Sequence, residues 1–313
     1  MRLNMYLVSK ISNKMEARFK SLSIFEFQDR FPDEASCHAY LDELKWGNGF
    51  KCLKCGYTKS CKATRPYERQ CNRCHNTVSV RSGTLFQGLK FSILKAFYIV
   101  YYVSTNKKGV SSTELSRKLE LRQKTAWFFK QKVMKAMESS GEFLMNGKVE
   151  VDESVVGQQE EGTVGRKNKN KKLVVFAIEK KGRGVSRVYG KVIQKASSKE
   201  LGQFMKDNID PKATIKTDEW PGYKPIKKDF ENMTMIKSGK KGDNFPELHR
   251  VIMGFKGWLR GMHHSVDNLQ AYINEYTYRF NRNKMEEGIF QNLMIRMVKA
   301  DPFPYKLMSL TSA

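Results

Sequence analysis

The sequence predicts a mixed-sheet α/β domain over residues 143–300, with a cysteine-rich module and a helical region ahead of it. Three observations carry that prediction. Two β-prone runs, Gly147-Lys148-Val149-Glu150-Val151-Asp152-Glu153-Ser154 and Ala213-Thr214-Ile215-Lys216-Thr217-Asp218-Glu219-Trp220, each deliver acids at their C-terminal ends. From Gly141 onward, strand-like and helix-like stretches alternate, the texture of an α/β domain. Upstream stand two Cys-x-x-Cys knuckles fifteen residues apart, the signature of a small metal-stapled module.

Residues 1–22 are basic and weakly patterned and read as a flexible leader, whose apolar patch Met5-Tyr6-Leu7-Val8 is too short for a signal-peptide core. Residues 23–84 begin with two helices, the second opened by Pro32-Asp33-Glu34, which are expected to pack against the module that follows. There Cys52, Cys55, Cys71 and Cys74 have the spacing of a tetrahedral Zn²⁺ site that supplies folding energy to a segment with little core. Four sulfurs fill the shell, so His75 is not needed and the zinc is structural. Cys37 and Cys61 fall outside the pattern and read as ordinary thiols.

Residues 85–142 read as helical. An apolar helix over 91–103 is followed by a turn and by Ser111-Ser112-Thr113-Glu114, a capping-box pattern opening a helix to Leu119. Lys124-Thr125-Ala126-Trp127 then begins a helix reaching Met137. Its basic residues Arg122, Lys124, Lys130 and Lys132 give a helix-turn-helix pattern, with Lys124 and Lys130 as DNA contacts. A purely structural three-helix bundle writes the same pattern.

Within 143–300, strands are expected at 148–151, 173–179, 185–193, 214–217 and, more weakly, 233–236, with an amphipathic helix over 197–208. Three strands, a helix, a fourth strand and a closing helix is the order of an RNase H-like domain. The loop over 165–172 is either a solvated charge run or, through Arg166 and Lys167, a grip on backbone phosphate. Pro246 opens the closing helix, which carries Glu247, His249, Lys256 and Arg260 and breaks near Gly261. A further helix runs to Asn281, with aromatic residues in the core and Arg279 and Arg282 expected at the surface. Residues 301–313 read as a tail.

Composition narrows the partner. The chain has 57 Lys+Arg against 32 Asp+Glu, a net charge of +25, which favours a polyanion and nucleic acid first. No run approaches the roughly 18 apolar residues of a membrane span, so a cytoplasmic, nucleoid-associated protein without a membrane partner is expected. Two strands that end in carboxylates can hold hard divalent cations, Mg²⁺ or Mn²⁺, and a pair of such ions clamps the attacking and leaving oxygens of a phosphoryl transfer.

These motifs together resemble the bacterial insertion-sequence transposases of the DDE type that carry an N-terminal zinc ribbon. The resemblance runs over roughly 25–282 and rests on several segments in one order. They are Phe31-Pro32-Asp33-Glu34, Trp46 to Gly49 before Cys52, Ser82-Gly83-Thr84-Leu85-Phe86, Val149 to Ser154, Thr217-Asp218-Glu219-Trp220 and Tyr278-Arg279-Phe280-Asn281-Arg282. It implies two Mg²⁺ ions, water-driven nicking at the element's terminal inverted repeats, and attack of the freed 3′-hydroxyl on target DNA. It also implies duplex DNA as partner and a homodimer or higher multimer on it. Asp152 and Asp218 take the places of the first two catalytic carboxylates. Glu153 and Glu219 are poorer ligands, because neighbouring side chains on a strand point to opposite faces.

The third acid departs from the family's pattern. Relatives carry Glu seven residues before a DNA-contacting Lys; here Lys256 is preceded at that distance by His249. Residues seven apart share a helix face. Neutral imidazole also ligates divalent metal, which makes His249 the favoured third ligand and Glu247 the alternative. Two readings therefore compete: an active transposase, or a DNA-binding protein descended from one with weakened or lost catalysis. A nuclease acting on RNA–DNA hybrids would explain the carboxylates but not the ribbon.

Overall fold

The structure, a computed structural model, describes residues 22–157, 171–237, 239, 243–263, 266–285 and 288–311. Helix α1 (Ile24–Arg30) starts at a full capping box, Ser23 with Glu26, and α2 (Glu34–Trp46) at a second one, Asp33 with Ser36. Each box satisfies two backbone groups that a helix start otherwise leaves orphaned. The module behind them is a three-stranded antiparallel sheet of β1 (Ser60–Lys62), β2 (Glu68–Cys71) and β3 (Thr77–Ser79). Lys45 of α2 donates its ammonium to the carbonyls of Ser79 (2.8 Å) and Ser82, pinning helix to ribbon.

Helices α3 (Ile93–Thr105), α4 (Ser112–Leu119) and α5 (Gln123–Ala136) follow. Ser111 caps α4 by accepting from the Glu114 N–H at 3.1 Å, and Glu120 ends it in the left-handed conformation at φ 50°. A tight turn leads from α4 into α5, in the element order expected from the sequence. The basic surface of α5 is smaller than expected, because Lys130 and Lys132 are both buried. Lys132 donates to the Gln87 carbonyl at 2.8 Å, and Lys130 lies 3.5 Å from Glu275. Arg122 and Lys124, at the start of α5, do face solvent.

The α/β part is a five-stranded sheet in the order β6-β5-β4-β7-β8: β4 (Lys148–Val156), β5 (Lys172–Lys181), β6 (Gly184–Ile193), β7 (Thr214–Thr217) and β8 (Asn232–Met235). The first three are antiparallel; β7 and β8 run parallel to β4. With α6 (Ser198–Asn208) as the crossover into β7, this is the RNase H-like order read from the sequence. Alternation along β4 and β5 separates two cores. Val149, Val151, Val175 and Ala177 pack against α6 and the 3₁₀ segment Pro221–Asp229. Val156, Val174, Phe176 and Ile178 pack against α7 (Pro246–Arg260) and α8 (Leu269–Asn281).

Two further helices, α9 (Gly288–Lys299) and α10 (Tyr305–Thr311), follow in the segment read as domain end and tail. Helix α9 does not join the sheet. Its Phe290, Leu293, Met294 and Met297 enter the core that α1 to α5 share with the ribbon, so the ribbon module and the helical region have one continuous interior. Arg279 and Arg282 are likewise not surface residues. Arg279 is 12 % exposed and donates to Glu275 (2.9 Å) and to the carbonyls of Asn106 (2.7 Å) and Val103 at the end of α3. Arg282 donates to Asn292 at 3.2 Å, with its guanidinium 4.2 Å from the Tyr278 ring centre.

Candidate active site

The register of β4 and β7 sets the site. The parallel pairing runs from Lys148 opposite Thr214 to Val151 opposite Thr217 and then stops. Asp152, midway along β4, and Asp218, the first residue past β7, come next in register and stand side by side at the carboxyl end of β7, the kind of place where α/β sheets bind their ligands. Asp152 is 13 % exposed. Its Oδ1 accepts from the Glu153 N–H at 2.7 Å, and Asp218 Oδ1 accepts from the Trp220 N–H at 3.1 Å, so each carboxylate has a backbone contact that fixes its direction.

A third acid joins them. Oxygens of Asp152, Glu153 and Asp218 lie within 4.8 Å of one another. Alternation on the strand places Glu153 on the face opposite Asp152, yet its carboxylate comes close to the other two. Because β7 ends opposite Val151, that side of β4 has no neighbouring strand beyond this point, and Asp218 in the gap meets side chains from both faces. Tyr223, fully buried on the 3₁₀ segment, donates its hydroxyl to Glu153 Oε2 at 3.0 Å. Burial beside Glu153, Asp152 and Asp218 holds the Tyr223 phenol well above its usual range, so it stays a proton donor. Only the spacing Asp218 to Tyr223 was visible in sequence, and nothing in that spacing points to a site.

Helix α7 supplies the cationic side. Leu248, Val251, Ile252, Phe255 and Leu259 form its buried stripe, at the spacing that lays one helix face on a sheet. His249 stands beside that stripe with Nε2 3.6 Å from Asp152 Oδ2. Glu247 faces elsewhere: its carboxylate is 3.8 Å from Lys180, which itself pairs with Glu150 at 3.1 Å, one step back along β4. Lys256, two turns beyond His249, donates to Ser154 Oγ at 2.8 Å, beside the acids. Burial, with Lys171 and Arg260 nearby, lowers its pKa. Arg260 is exposed at the end of the helix. Arg166 and Lys167 lie outside the described residues.

The donor sets suit different metals. Three carboxylates gathered where β7 ends are hard oxygen ligands of the kind Mg²⁺ and Mn²⁺ take. In the ribbon, Sγ of Cys52 and Cys74 are 3.6 Å apart, as are those of Cys55 and Cys71. Bonds of about 2.3 Å from a tetrahedral zinc place sulfurs about 3.8 Å apart. Both knuckles close in the same way: the residue after each second cysteine, Gly56 at φ 72° and His75 at φ 54°, is left-handed and donates its N–H to the carbonyl of the first. His75 thus shapes the knuckle rather than ligating. Cys37 is buried, which pushes its thiol up to about 12, and Cys61 is exposed.

Comparison with known proteins agrees with this layout. Residues 144–281 match the model of the ISXO2-like transposase domain, and residues 32–77 match that of the transposase zinc-ribbon domain. An uncharacterised protein in transposable element ISH50 of Halobacterium salinarum is 25 % identical over 278 residues, 80 % of this chain and 91 % of that one. A Borreliella burgdorferi protein, also uncharacterised, is 48 % identical over 59 residues, 18 % of this chain and 5 % of its own length. Among solved structures, a pre-cleavage Mos1 transpososome overlaps 66 % of this chain and 78 % of its own at 10 % identity, with a TM-score of 0.28. The Mos1 mariner paired end complex with Mn overlaps 86 % and 88 % at 11 % identity, again with a TM-score of 0.28. The zinc-ribbon and transposase-domain models thus match in the same order along one chain, the arrangement of the insertion-sequence DDE transposases with an N-terminal zinc ribbon that this sequence resembles.

Proposed function

We propose that this chain binds the terminal inverted repeats of an insertion sequence and catalyses divalent-metal-dependent strand cleavage and strand transfer there. The observation that carries the reading is the register of β4 and β7, which sets the carboxylate just past the end of β7, Asp218, beside that of Asp152 on β4. These would hold the divalent cations, Mg²⁺ or Mn²⁺, that polarise the scissile phosphate and activate the attacking oxygen. His249 adds an imidazole nitrogen beside Asp152 from the α7 side. The Lys256 ammonium and, further out, Arg260 offer positive charge to the phosphates flanking the scissile bond. Lys124, at the exposed start of α5, would meet duplex phosphate away from the cut. Lys130 is withdrawn from that role, since no phosphate reaches a residue 1 % exposed. Cleavage at two ends implies a homodimer or larger assembly on DNA. Among the described residues no helix is long and apolar enough to cross a membrane, and the substrate would be met on the nucleoid.

One observation favours a second reading. The closing helix carries His249 where the family's pattern has Glu, so a DNA-binding descendant without catalysis competes with the active enzyme. The test is strand transfer on a supercoiled plasmid carrying the element's ends, with Mg²⁺ or Mn²⁺. Joined products that vanish with Asp152→Ala and His249→Ala but persist with Glu247→Gln support the enzyme as described. Specific binding of the ends without cleavage in either metal would leave the second reading standing.

A further inference from the structure

We propose that Glu153 is a third carboxylate ligand of the catalytic divalent cation, held in place by the Tyr223 hydroxyl; this rests on reading Asp152 and Asp218 as the metal centre. The acid that α7 does not place at position 249 is then supplied by β4 itself. Asp152 faces α7, and Glu153 faces the opposite side of the sheet, toward α6 and the 3₁₀ segment. Past Val151 the sheet has no β7 neighbour to keep those sides apart, and Asp218 occupies the opening. One oxygen from each of the three carboxylates therefore falls within a 4.8 Å group. Three like charges at this spacing repel, and a divalent cation among them turns the repulsion into shared ligation.

Tyr223 supplies an independent observation. Its ring is fully buried among the residues that pack α6 on the sheet, and its hydroxyl reaches out of that core to Glu153 Oε2 at 3.0 Å. A hydrogen bond from outside the ligand shell is the usual means of orienting a ligating carboxylate, and losing one costs about 10- to 100-fold in metal affinity. His249 lies 3.6 Å from the Oδ2 of Asp152, the carboxylate that faces its own helix. Asp152 thus stands between a nitrogen donor from α7 and a second carboxylate from its own strand. Tyr223 is a positioning residue in this account and Glu153 a ligand.

The experiment is Mn²⁺ titration of the full-length, zinc-bearing chain without DNA, followed by electron paramagnetic resonance, with melting temperature in metal-free buffer as the companion measurement. The variants are Asp152→Asn, Glu153→Gln and Tyr223→Phe. Asp152→Asn is expected to abolish tight Mn²⁺ binding. Glu153→Gln, which keeps the hydrogen-bond acceptor and removes the charge, is expected to weaken Mn²⁺ at least about 10-fold, and Tyr223→Phe about 10-fold. Should Glu153→Gln not fold, Glu153→Asp, which keeps the charge one methylene short, carries the same expectation. Wild-type Mn²⁺ affinity in the Glu153 and Tyr223 variants, with loss only in Asp152→Asn, would overturn the proposal and leave a structural link between strand and 3₁₀ segment. Unchanged binding in Asp152→Asn as well would instead remove the Asp152–Asp218 centre on which it rests.

Discussion

Lys130 shows how far one side chain's role depends on a partner that local sequence does not reveal. It is 1 % exposed, 3.5 Å from a Glu275 with no exposure, and 4.9 Å from the centre of the Tyr272 ring. Read along the chain, Lys130 is one of several basic residues on a helix-turn-helix pattern. Its burial comes from α8, far downstream, and helical periodicity carries no trace of that partner. Removing one member of a buried ion pair leaves the other charge stranded. Lys130→Ala should therefore lower unfolding stability by about 3 kcal/mol in urea titration. Lys124→Ala should change it by less than about 0.5 kcal/mol while weakening DNA binding. The same logic explains Glu153. The rule that adjacent strand residues diverge is sound, but it assumes a neighbouring strand, and β7 stops one residue too early for it to hold. The shared face of His249 and Lys256 was legible because seven residues make about two helical turns, and both stand near β4.

At the scale of elements, the sheet strands were legible because alternation and β-branched content are local properties. How the outer strand is protected was not. The edge of β6 is covered by two side-chain amides from α8. Asn281 accepts from the Val188 N–H at 2.7 Å and donates to its carbonyl at 2.9 Å; Gln270 accepts from the Val192 N–H at 2.8 Å. They act as a partial sixth strand, satisfying groups that an open edge would present to other chains. The approach depends on Gly190, where a Cβ would come within 2.9 Å of Ile273 and Phe176. Asn281→Ala should cost about 2 kcal/mol by leaving the Val188 groups unpaired, and hydrogen exchange at the Val188 amide should accelerate more than the global loss explains. The ribbon gives a second prediction. Its three short strands bury few side chains, so chelation should remove one zinc per chain and collapse exchange protection across 52–79, while the β4–β5 pairing stays protected. Finding no zinc under reducing conditions would contradict the assignment.

At the scale of the molecule, α8 and α9 tie the helical region to the α/β domain. Arg279 of α8 seals the last carbonyls of α3, and Arg296 of α9 donates to the carbonyls of Ala136 and Glu138 at the end of α5. Cations at helix C-termini are favoured by the helix dipole, so these contacts stabilise as well as connect. The sequence reading placed boundaries at 84/85 and 142/143, where texture changes, but a shared core leaves no mark in texture, and α9 crosses both boundaries. Net charge was fully legible. With +25 on the chain, affinity for the element's ends should fall about 10³-fold or more between 50 and 200 mM salt, and a shallow salt slope would argue against broad phosphate contact.

The central claim is that Asp152 on β4 and Asp218 at the end of β7 form a metal-dependent centre for DNA cleavage. It is tested most directly on a duplex oligonucleotide bearing one end of the element, labelled on the strand to be cut, with wild type and Asp152→Asn compared in Mn²⁺. A nick at the element's boundary that leaves a 3′-hydroxyl, made by wild type and not by Asp152→Asn although both bind the duplex, is the result this account predicts. Equal cutting by both, or binding by both with no cutting in any divalent metal, would contradict it.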